Sequence, residues 1–441
     1  MTGRLGVGAH SAAPTLAEHQ RQFGPLPTVD GPRRGEPGGL ADEVERAGLR
    51  GRGGGWFPTH LKLRAVTASA HSAGPLRRTR KPVVIANGME GEPASGKDAA
   101  LLASSPHLVF DGISLAARTV GATDAFIAIH RGSPLVDGLQ AALDERTAAG
   151  VDAVGISLVT PPARYVASEE SALSHWVGDG VATPVFPDRP FQRGAAGRPT
   201  LVQNVETLAH LALIARYGAS WFASVGAPSA PGTTLVTVGG AVARPGVVEA
   251  PTGTSVHDLI AAAGGSSAPI RGYLTGGYGG AWVPADGFDA ITWDPESVRD
   301  AGGVIGASVL WALEDGACPL EELARVTAWM AGESAGQCGP CMFGLPALSE
   351  DVRALAWRTT DEAGMKQLAE RVRLVSGRGG CKHPDGTARF VATGIEAFPE
   401  EVALHLDGRC SIAGRRPAHA VGLPVPPTRI PALDTSGRHY S

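Results

Sequence analysis

The sequence predicts an α/β chain in three structured parts. These are a parallel sheet with helices on both faces, a small α+β unit of grasp-like order, and a helical carboxyl-terminal part. Three observations predict this. Between about residues 41 and 228 short apolar runs alternate with helical stretches, the pattern of βαβ units. Near Pro231 the texture changes to β-branched runs broken by glycine turns. From about residue 319 to 407 the apolar spacing is helical. At 441 residues the chain exceeds one ordinary core, so several domains are expected.

Taken in order, residues 1–40 are rich in Gly, Pro and Ala with weak periodicity and read as a loosely ordered extension. A short helical pattern from Ala41 leads into the glycine cluster at 51–55. Strands are expected at 83–86, 125–129 and 153–159, and helices over 97–121 with a proline break, 134–149 and 203–217. In the second part, 233–238 is a β-branched strand and 244–246 a turn. Residues 255–263 form a short helix that Thr254 or Ser255 caps and Gly264 ends. In the third part, helices are expected at 319–333, 345–358, 361–375 and 395–406. From Arg415 the tail is proline-rich and expected to be disordered or draped on the surface. The resulting expectation is an extension (1–40), an α/β domain (41–228), a grasp-like unit (229–300), a helical domain (301–412) and a tail (413–441).

Composition narrows the function classes. Hydrophobic residues make up 43% and charged residues 19%, as in a soluble globular protein. A formal net charge of -4 argues neither for nor against a polyanion partner, and no dense Lys/Arg stripe suggests nucleic acid. The basic run at 77–81 reads as a solvated loop. No apolar run has the length of a membrane span or the form of a signal peptide, so a cytoplasmic location without direct membrane insertion is expected. Five cysteines in such a compartment point to metal rather than disulfides.

Five motifs carry chemistry. The cluster GRGGGWFPTH at 51–60 lets backbone approach a ligand closely. It is not a G-x-G-x-x-G after a strand, so an ordinary dinucleotide fingerprint is not supported. NGMEGEPASGKD at 87–98 follows the first strand, where ligands of open parallel sheets bind. YVASEESAL at 165–173 holds an acidic pair that is equally a helix start. GRPTLVQNVETLA at 197–209 also reads as a helix start. ESAGQCGPCMFG at 333–344, with Cys381 and His383 downstream, is a strong metal or redox signal. Cys338, Cys341, Cys381 and His383 make a legitimate zinc set and, equally, an iron–sulfur site with a histidine ligand.

In this order the five blocks resemble those of the NADH-binding flavoproteins of respiratory complex I, over roughly residues 45 to 410. The resemblance to that family implies a Rossmann-like FMN-binding domain, a ubiquitin-like (SLBB, β-grasp) insert and a four-helix bundle holding a [4Fe–4S] cluster. It implies that Gly51, Arg52, Gly53, Gly54 and Lys62 line the flavin and nucleotide site. Asn87, Glu90 and Glu92 match the polar loop beneath flavin and nicotinamide, Glu92 orienting the latter. Glu169 and Glu170 match the acidic pair near the nucleotide, and Thr200 and Asn204 the flavin-binding turn. Cys338, Cys341 and Cys381 match three of four cluster ligands.

Electrons are then expected to pass from NAD(P)H through FMN to the cluster. The onward acceptor is expected to be a ferredoxin-like or other redox subunit. No side chain need act as acid, base or nucleophile. The departures are Ala335 for the first cluster cysteine, Trp56 and His60 for glycines, Met89 for an aspartate and Gln203 for an asparagine. Ala335 leaves open a [3Fe–4S] cluster, a non-cysteine ligand from His383 or Cys410, or no cluster. The alternative function is a zinc-binding or metal-free structural subunit without redox activity.

Overall fold

The computed structural model describes residues 3–7, 13–28, 39–71, 81–412 and 422–426. Most of the expected tail, the basic run at 77–80 and parts of the expected extension lie outside the described residues. The chain divides into two compact units. The first is Met1–Gly91, Gly96–Val236 and Val247–Thr254; the second is Glu92–Ser95, Thr237–Gly246 and Ser255–Ser441.

In the first unit, β1 (Val83–Asn87), β2 (Asp124–Ala128), β3 (Ile156–Val159) and β4 (Thr200–Asn204) form a sheet of order β3–β2–β1–β4. Every pairing is parallel. Side chains alternate between faces. Val84 and Ala86 enter a large apolar cluster, while Val83 and Ile85 enter a smaller one with Met89, Leu173 and Val202. Burial on both faces explains why these strands read as continuous apolar runs.

The longer helices of this unit are α1 (Leu16–Phe23), α2 (Leu40–Arg46), α3 (Thr59–His71), α4 (Lys97–Ser104), α5 (Pro106–Val120), α6 (Val136–Ala149), α7 (Glu170–Asp179) and α8 (Val205–Tyr217). The expected proline break is real: Ser105 leaves the helical region at φ -144° and Pro106 opens α5. Helices α5 and α8 pack so closely that a Cβ at Gly112 would meet the backbone of Leu208. Alanine there forces the helices apart.

One expectation is corrected at the amino end. Residues 16–23 are a helix with a capping box from Thr15 and Glu18, and Leu5 and Leu16 are buried. His19 Nε2 lies 2.7 Å from Asp111 Oδ2, and Arg146 reaches Asp111 and Asp152 at 2.8 and 2.7 Å. The extension reads as loose because its apolar residues are few and widely spaced. Polar partners do the anchoring instead.

The other sheet has the order β8–β7–β9–β5–β6, with β5 (Thr233–Gly240), β6 (Gly246–Pro251), β7 (Ile270–Thr275), β8 (Ala281–Pro284) and β9 (Val309–Glu314). Strand β9 runs parallel to β5 and antiparallel to β7. Helix α9 (Val256–Ala262) starts where Ser255 Oγ accepts from the Asp258 amide at 3.0 Å. Strand β9 lies inside the stretch expected to be helical from 301. Its VLWAL run is uniformly apolar and too short to show a period.

The helical part of the second unit contains α10 (Pro319–Gly332), α11 (Leu345–Ala356), α12 (Glu362–Val375), α13 (His383–Ala397) and α14 (Pro399–Leu406). Helices α10, α11, α12 and α13 pack as a four-helix group around Leu323, Val326, Leu348, Val352, Leu368 and Phe390. The single helix expected at 395–406 is the end of α13 and all of α14, divided at Pro399. In the described piece of the tail, Leu423 is buried, and the Pro424 carbonyl accepts from Tyr278 Oη at 2.8 Å. Among the described residues no single helix is long and apolar enough to cross a membrane.

Candidate cofactor sites

The first sheet has a switch point. The chain adds β2 and β3 on one side of β1, then returns to add β4 on the other. In open α/β sheets ligands bind beyond the carboxyl ends of the strands at such a reversal. Asn87 and Asn204 are register partners at those two ends. Asn87 Nδ2 donates to the Ser168 carbonyl at 2.8 Å, and its Oδ1 accepts from the Met89 amide at 3.2 Å. Asn204 Oδ1 accepts from the Glu206 amide at 3.0 Å and so caps α8.

The glycine loop closes onto this end of the sheet. The Gly51 amide donates to the Phe57 carbonyl at 2.9 Å, and Arg50 and Pro58 form a bridge. A Cβ at Gly53 would stand 3.0 Å from Asn204 Cβ, so glycine permits the contact. Gly54 has φ +102°. Lys62, on α3, donates to Glu170 Oε2 at 2.5 Å and to the Val202 carbonyl at 3.4 Å. The structure therefore brings Gly51, Gly53, Gly54, Lys62, Asn87, Glu170 and Asn204 to one end of one sheet.

Beneath them lies a buried charged network that sequence reasoning missed. Lys97 Nζ donates to Asp98 Oδ1 at 2.6 Å and to Glu206 Oε2 at 2.9 Å. Asn204 Nδ2 donates to Asp98 Oδ2 at 2.7 Å, and the Leu235 amide to Glu206 Oε1 at 2.9 Å. Burial alone would lower the Lys97 pKa, but Asp98 and Glu206 outweigh it and raise it. Burial pushes the Asp98 carboxyl well above its ordinary value, against Lys97. Burial also opposes ionisation of Glu206, yet Lys97, His210 and Arg52 hold it down to about 2. Lys97, Asp98 and Glu206 stood inside the motif blocks, but a charged residue after a loop reads as solvated until its burial is known.

Other expected site residues are committed elsewhere. The Arg52 guanidinium is engaged with backbone. It donates to the carbonyls of Arg50, Pro231 and Thr233, and stands 4.3 Å from the Trp56 ring. Burial lowers its pKa to about 10. Trp56 is buried and holds φ 47°, a region that a bulky side chain rarely adopts. Glu90 caps α4, accepting from the amides of Asp98 and Ala99 at 2.9 Å each. Glu169 caps α7, accepting from Ser171 and Ala172. In the second unit Glu92 Oε2 accepts from the Tyr278 amide at 2.7 Å. Thr200 begins β4 and sits at the amino end of the strand that Asn204 ends, bonded to Ala195 and Arg198. It belongs to the wrong end of the sheet for a carboxyl-end crevice. Met89, where the resemblance implies aspartate, fills the smaller apolar cluster.

The second unit gathers thiols. Cys338 precedes a wide π-type turn, Pro340–Gly344, that leads into α11. Such turns are frequent at functional sites. Cys381 lies just before α13. Burial would raise the Cys338 pKa, but the amides of Gly380 and Cys341 and the Cys341 thiol lower it below the usual thiol value. Burial, then Cys338 and Cys381, push the Cys341 thiol up to about 12, against the Gly336 amide. Cys338 and Cys381 thus both lie near Cys341. Ala335 contributes a methyl to this loop and no donor. His383 Nε2 is bonded to the Met330 carbonyl at 2.9 Å. Cys410 is grouped instead with Cys318, Glu401 and His405.

The family descriptions "Nuo51 FMN-binding domain", "SLBB domain" and "NADH-ubiquinone oxidoreductase-F iron-sulfur binding region" match residues 44–213, 235–272 and 321–405. The F-type component of NADH-quinone oxidoreductase from Streptomyces coelicolor is 31% identical over 85% of this chain and 84% of its own length. Its counterpart in Mycobacterium bovis is 30% identical over 84% and 85%. Among solved structures, an NAD+-reducing [NiFe]-hydrogenase in the H2-reduced state is similar with a TM-score of 0.76 and 29% identity. That match covers 83% of this chain but 62% of the hydrogenase chain, so the likeness extends over less than two thirds of it.

Proposed function

We infer the function from one premise: the chain belongs to the family of F-type components of NADH-quinone oxidoreductase. It is an NADH dehydrogenase-type oxidoreductase subunit that binds FMN and an iron–sulfur centre and carries electrons from NADH to a partner redox subunit. The observation that carries this reading is the pairing of Asn87 with Asn204 at the switch point, with the glycine loop closed upon it. We assign the flavin and nucleotide part to residues 41–228. The β-grasp insert is extended through β9, and the helical iron–sulfur part ends at 412. A ferredoxin-like subunit is the proposed acceptor, and cytoplasmic association with partner subunits the proposed setting.

The residues fit a phosphorylated flavin. The loop at Gly51, Gly53 and Gly54 brings backbone to the crevice without side chains. Lys62 supplies a cation for a phosphate or an electron-rich ring edge. Asn87 and Asn204 offer amides fixed by their own backbone bonds. Glu170 holds the Lys62 ammonium in place. The fit to a [4Fe–4S] group is partial, with three thiols and no fourth cysteine at position 335. When bound, FMN accepts hydride and the iron–sulfur centre relays single electrons. The chain's own part is positioning. Lys97, Asp98 and Glu206 keep Asn204 in one rotamer, and the backbone amides lower the Cys338 pKa so that it ligates as thiolate.

The test is titration of the purified full-length chain with FMN, followed by anaerobic addition of NADH. Flavin fluorescence should quench at one FMN per chain, and NADH should bleach the bound flavin. Lys62→Met should weaken FMN binding about tenfold, near 1.4 kcal/mol. Absence of binding, or equal affinity in Lys62→Met and Asn204→Asp, overturns the assignment.

A further inference from the structure

Away from the three-cysteine loop, the second unit holds another set of ligand atoms. Cys318 precedes α10, Glu401 and His405 share one face of α14 at i, i+4, and Cys410 follows α14. One sulfur, nitrogen or oxygen from each lies within 4.8 Å of all the others. Cys318 Sγ is 3.5 Å from His405 Nε2, and His405 Nε2 is 3.2 Å from Glu401 Oε1. Zinc bonds of about 2.0 to 2.3 Å set the edges of a tetrahedron at about 3.3 to 3.8 Å. The two measured separations fall at or just below such edges.

A second, independent feature is the support behind the ligands. His405 Nδ1 is 3.0 Å from the Leu355 carbonyl, so Nδ1 carries the proton and the Nε2 lone pair faces the group. Glu401 Oε2 accepts from Arg271 Nη2 at 3.0 Å, and Oε1 from the Ser411 amide at 3.0 Å. Glu401 and His405 are almost fully buried, and Cys318 is 3% exposed. Both sulfurs are near enough to the carboxylate for Glu401 to raise their pKa values, behind the larger effect of burial. A ring and a carboxylate fixed from behind, with their other atoms turned on two thiols, are arranged as metal-ligating groups are.

We propose that Cys318, Glu401, His405 and Cys410 bind one zinc ion, separate from any cluster on Cys338, Cys341 and Cys381. Binding releases the two thiol protons to solvent. The ligand set then carries three negative charges, which zinc reduces to one, with Arg271 beside it. Nitrogen, oxygen and two sulfurs in a closed site favour zinc over calcium or magnesium. The ion ties the start of α10 to α14 and to the chain beyond it, and so clamps one end of the helical part.

The experiment uses the full-length chain, reduced, stripped with chelator, supplied with zinc chloride and dialysed. Wild type should retain one zinc per chain. Its zinc K-edge absorption should show two sulfur and two nitrogen or oxygen neighbours. His405→Gln and Cys410→Ser should lower zinc affinity at least 100-fold, while Cys338→Ser and Cys341→Ser leave it unchanged. Cys410 is half-buried beyond the last helix, so Cys410→Ser decides alone if His405→Gln fails to fold. The proposal is overturned by a wild type that retains no zinc, by zinc that survives in Cys410→Ser, or by zinc lost with Cys338. A Cys318–Cys410 disulfide found by mass spectrometry in anaerobically prepared protein overturns it as well.

Discussion

The switch-point end of the first sheet and the cysteine loop of the second unit, the two proposed cofactor regions, hold their candidate ligands in different ways. At the switch point each asparagine does structural duty as well. Asn204 caps α8 and holds Asp98, and Asn87 shapes the turn after β1 and holds Ser168. In the cysteine loop, position 335 is a half-buried alanine outside any helix, with no polar group to bond its neighbours. A ligand that is also part of the scaffold resists loss through stability as well as through function. A ligand that only ligates is held by function alone.

The largest test of this contrast is Glu206→Gln. The carboxylate is fully buried and takes Lys97, the Leu235 amide and Thr234 Oγ1. Removing its charge leaves Lys97 buried with one carboxylate instead of two, and such breaks cost about 3–5 kcal/mol. Urea unfolding should show that loss. A change under about 1 kcal/mol would mean the flavin end is no more scaffolded than the cysteine loop. The pH dependence adds a signature. The folded Glu206 pKa of about 2 lies below its ordinary 4.5. Its contribution is therefore present above pH 4.5 and lost as pH falls from there toward 2. Glu206→Gln should lack that acid limb, read as Tm against pH.

Ala335→Cys is the converse. Stability should move by less than about 0.5 kcal/mol, because the position is a half-buried loop residue outside the helices. The iron and acid-labile sulfide content of anaerobically isolated protein should rise toward four of each per chain, with a change in the EPR spectrum of the reduced protein. Unchanged iron would show that the loop no longer gathers a cluster even when its fourth thiol is restored.

These contrasts also show what could be read from the residues alone. The parallel sheet, three of its four strands and the nearness of Cys338 and Cys381 to Cys341 were legible, since periodicity and cysteine spacing are local signals, whereas β4 read as the start of a helix. The fate of individual polar residues was not. Glu90, Glu169 and Thr200 stand in motif blocks, yet each spends its side chain on a nearby backbone group. Glu92 does the same over a sequence separation of 186 residues. Nothing in a motif says which carboxylate faces a ligand and which caps a helix, because both need an acceptor near free amides. The Cys318 group was hidden for another reason. Cys318 and His405 lie 87 residues apart, and only the packing of α14 against α10 and α11 joins them.

The smallest expected effect belongs to Trp56, and it sharpens the comparison where the flavin end has itself changed. The indole packs over the Arg52 guanidinium, whose donors are all directed at backbone carbonyls of the same unit. Stacking of this kind contributes about 0.5–2 kcal/mol. The backbone there sits at φ 47°, which glycine adopts without strain. Trp56→Gly therefore trades a side-chain contact against relief of the backbone. If the indole belongs to the Arg52 packing, FMN affinity should change by less than about threefold. If it stands where an isoalloxazine ring would lie, removing it should tighten FMN binding by about tenfold or more, since about 1.4 kcal/mol of displaced side chain is one decade. Fluorescence titration of the two proteins side by side separates these outcomes. Tightening would mean that the flavin end, like the cysteine loop, has given up part of its ligand site while keeping its fold.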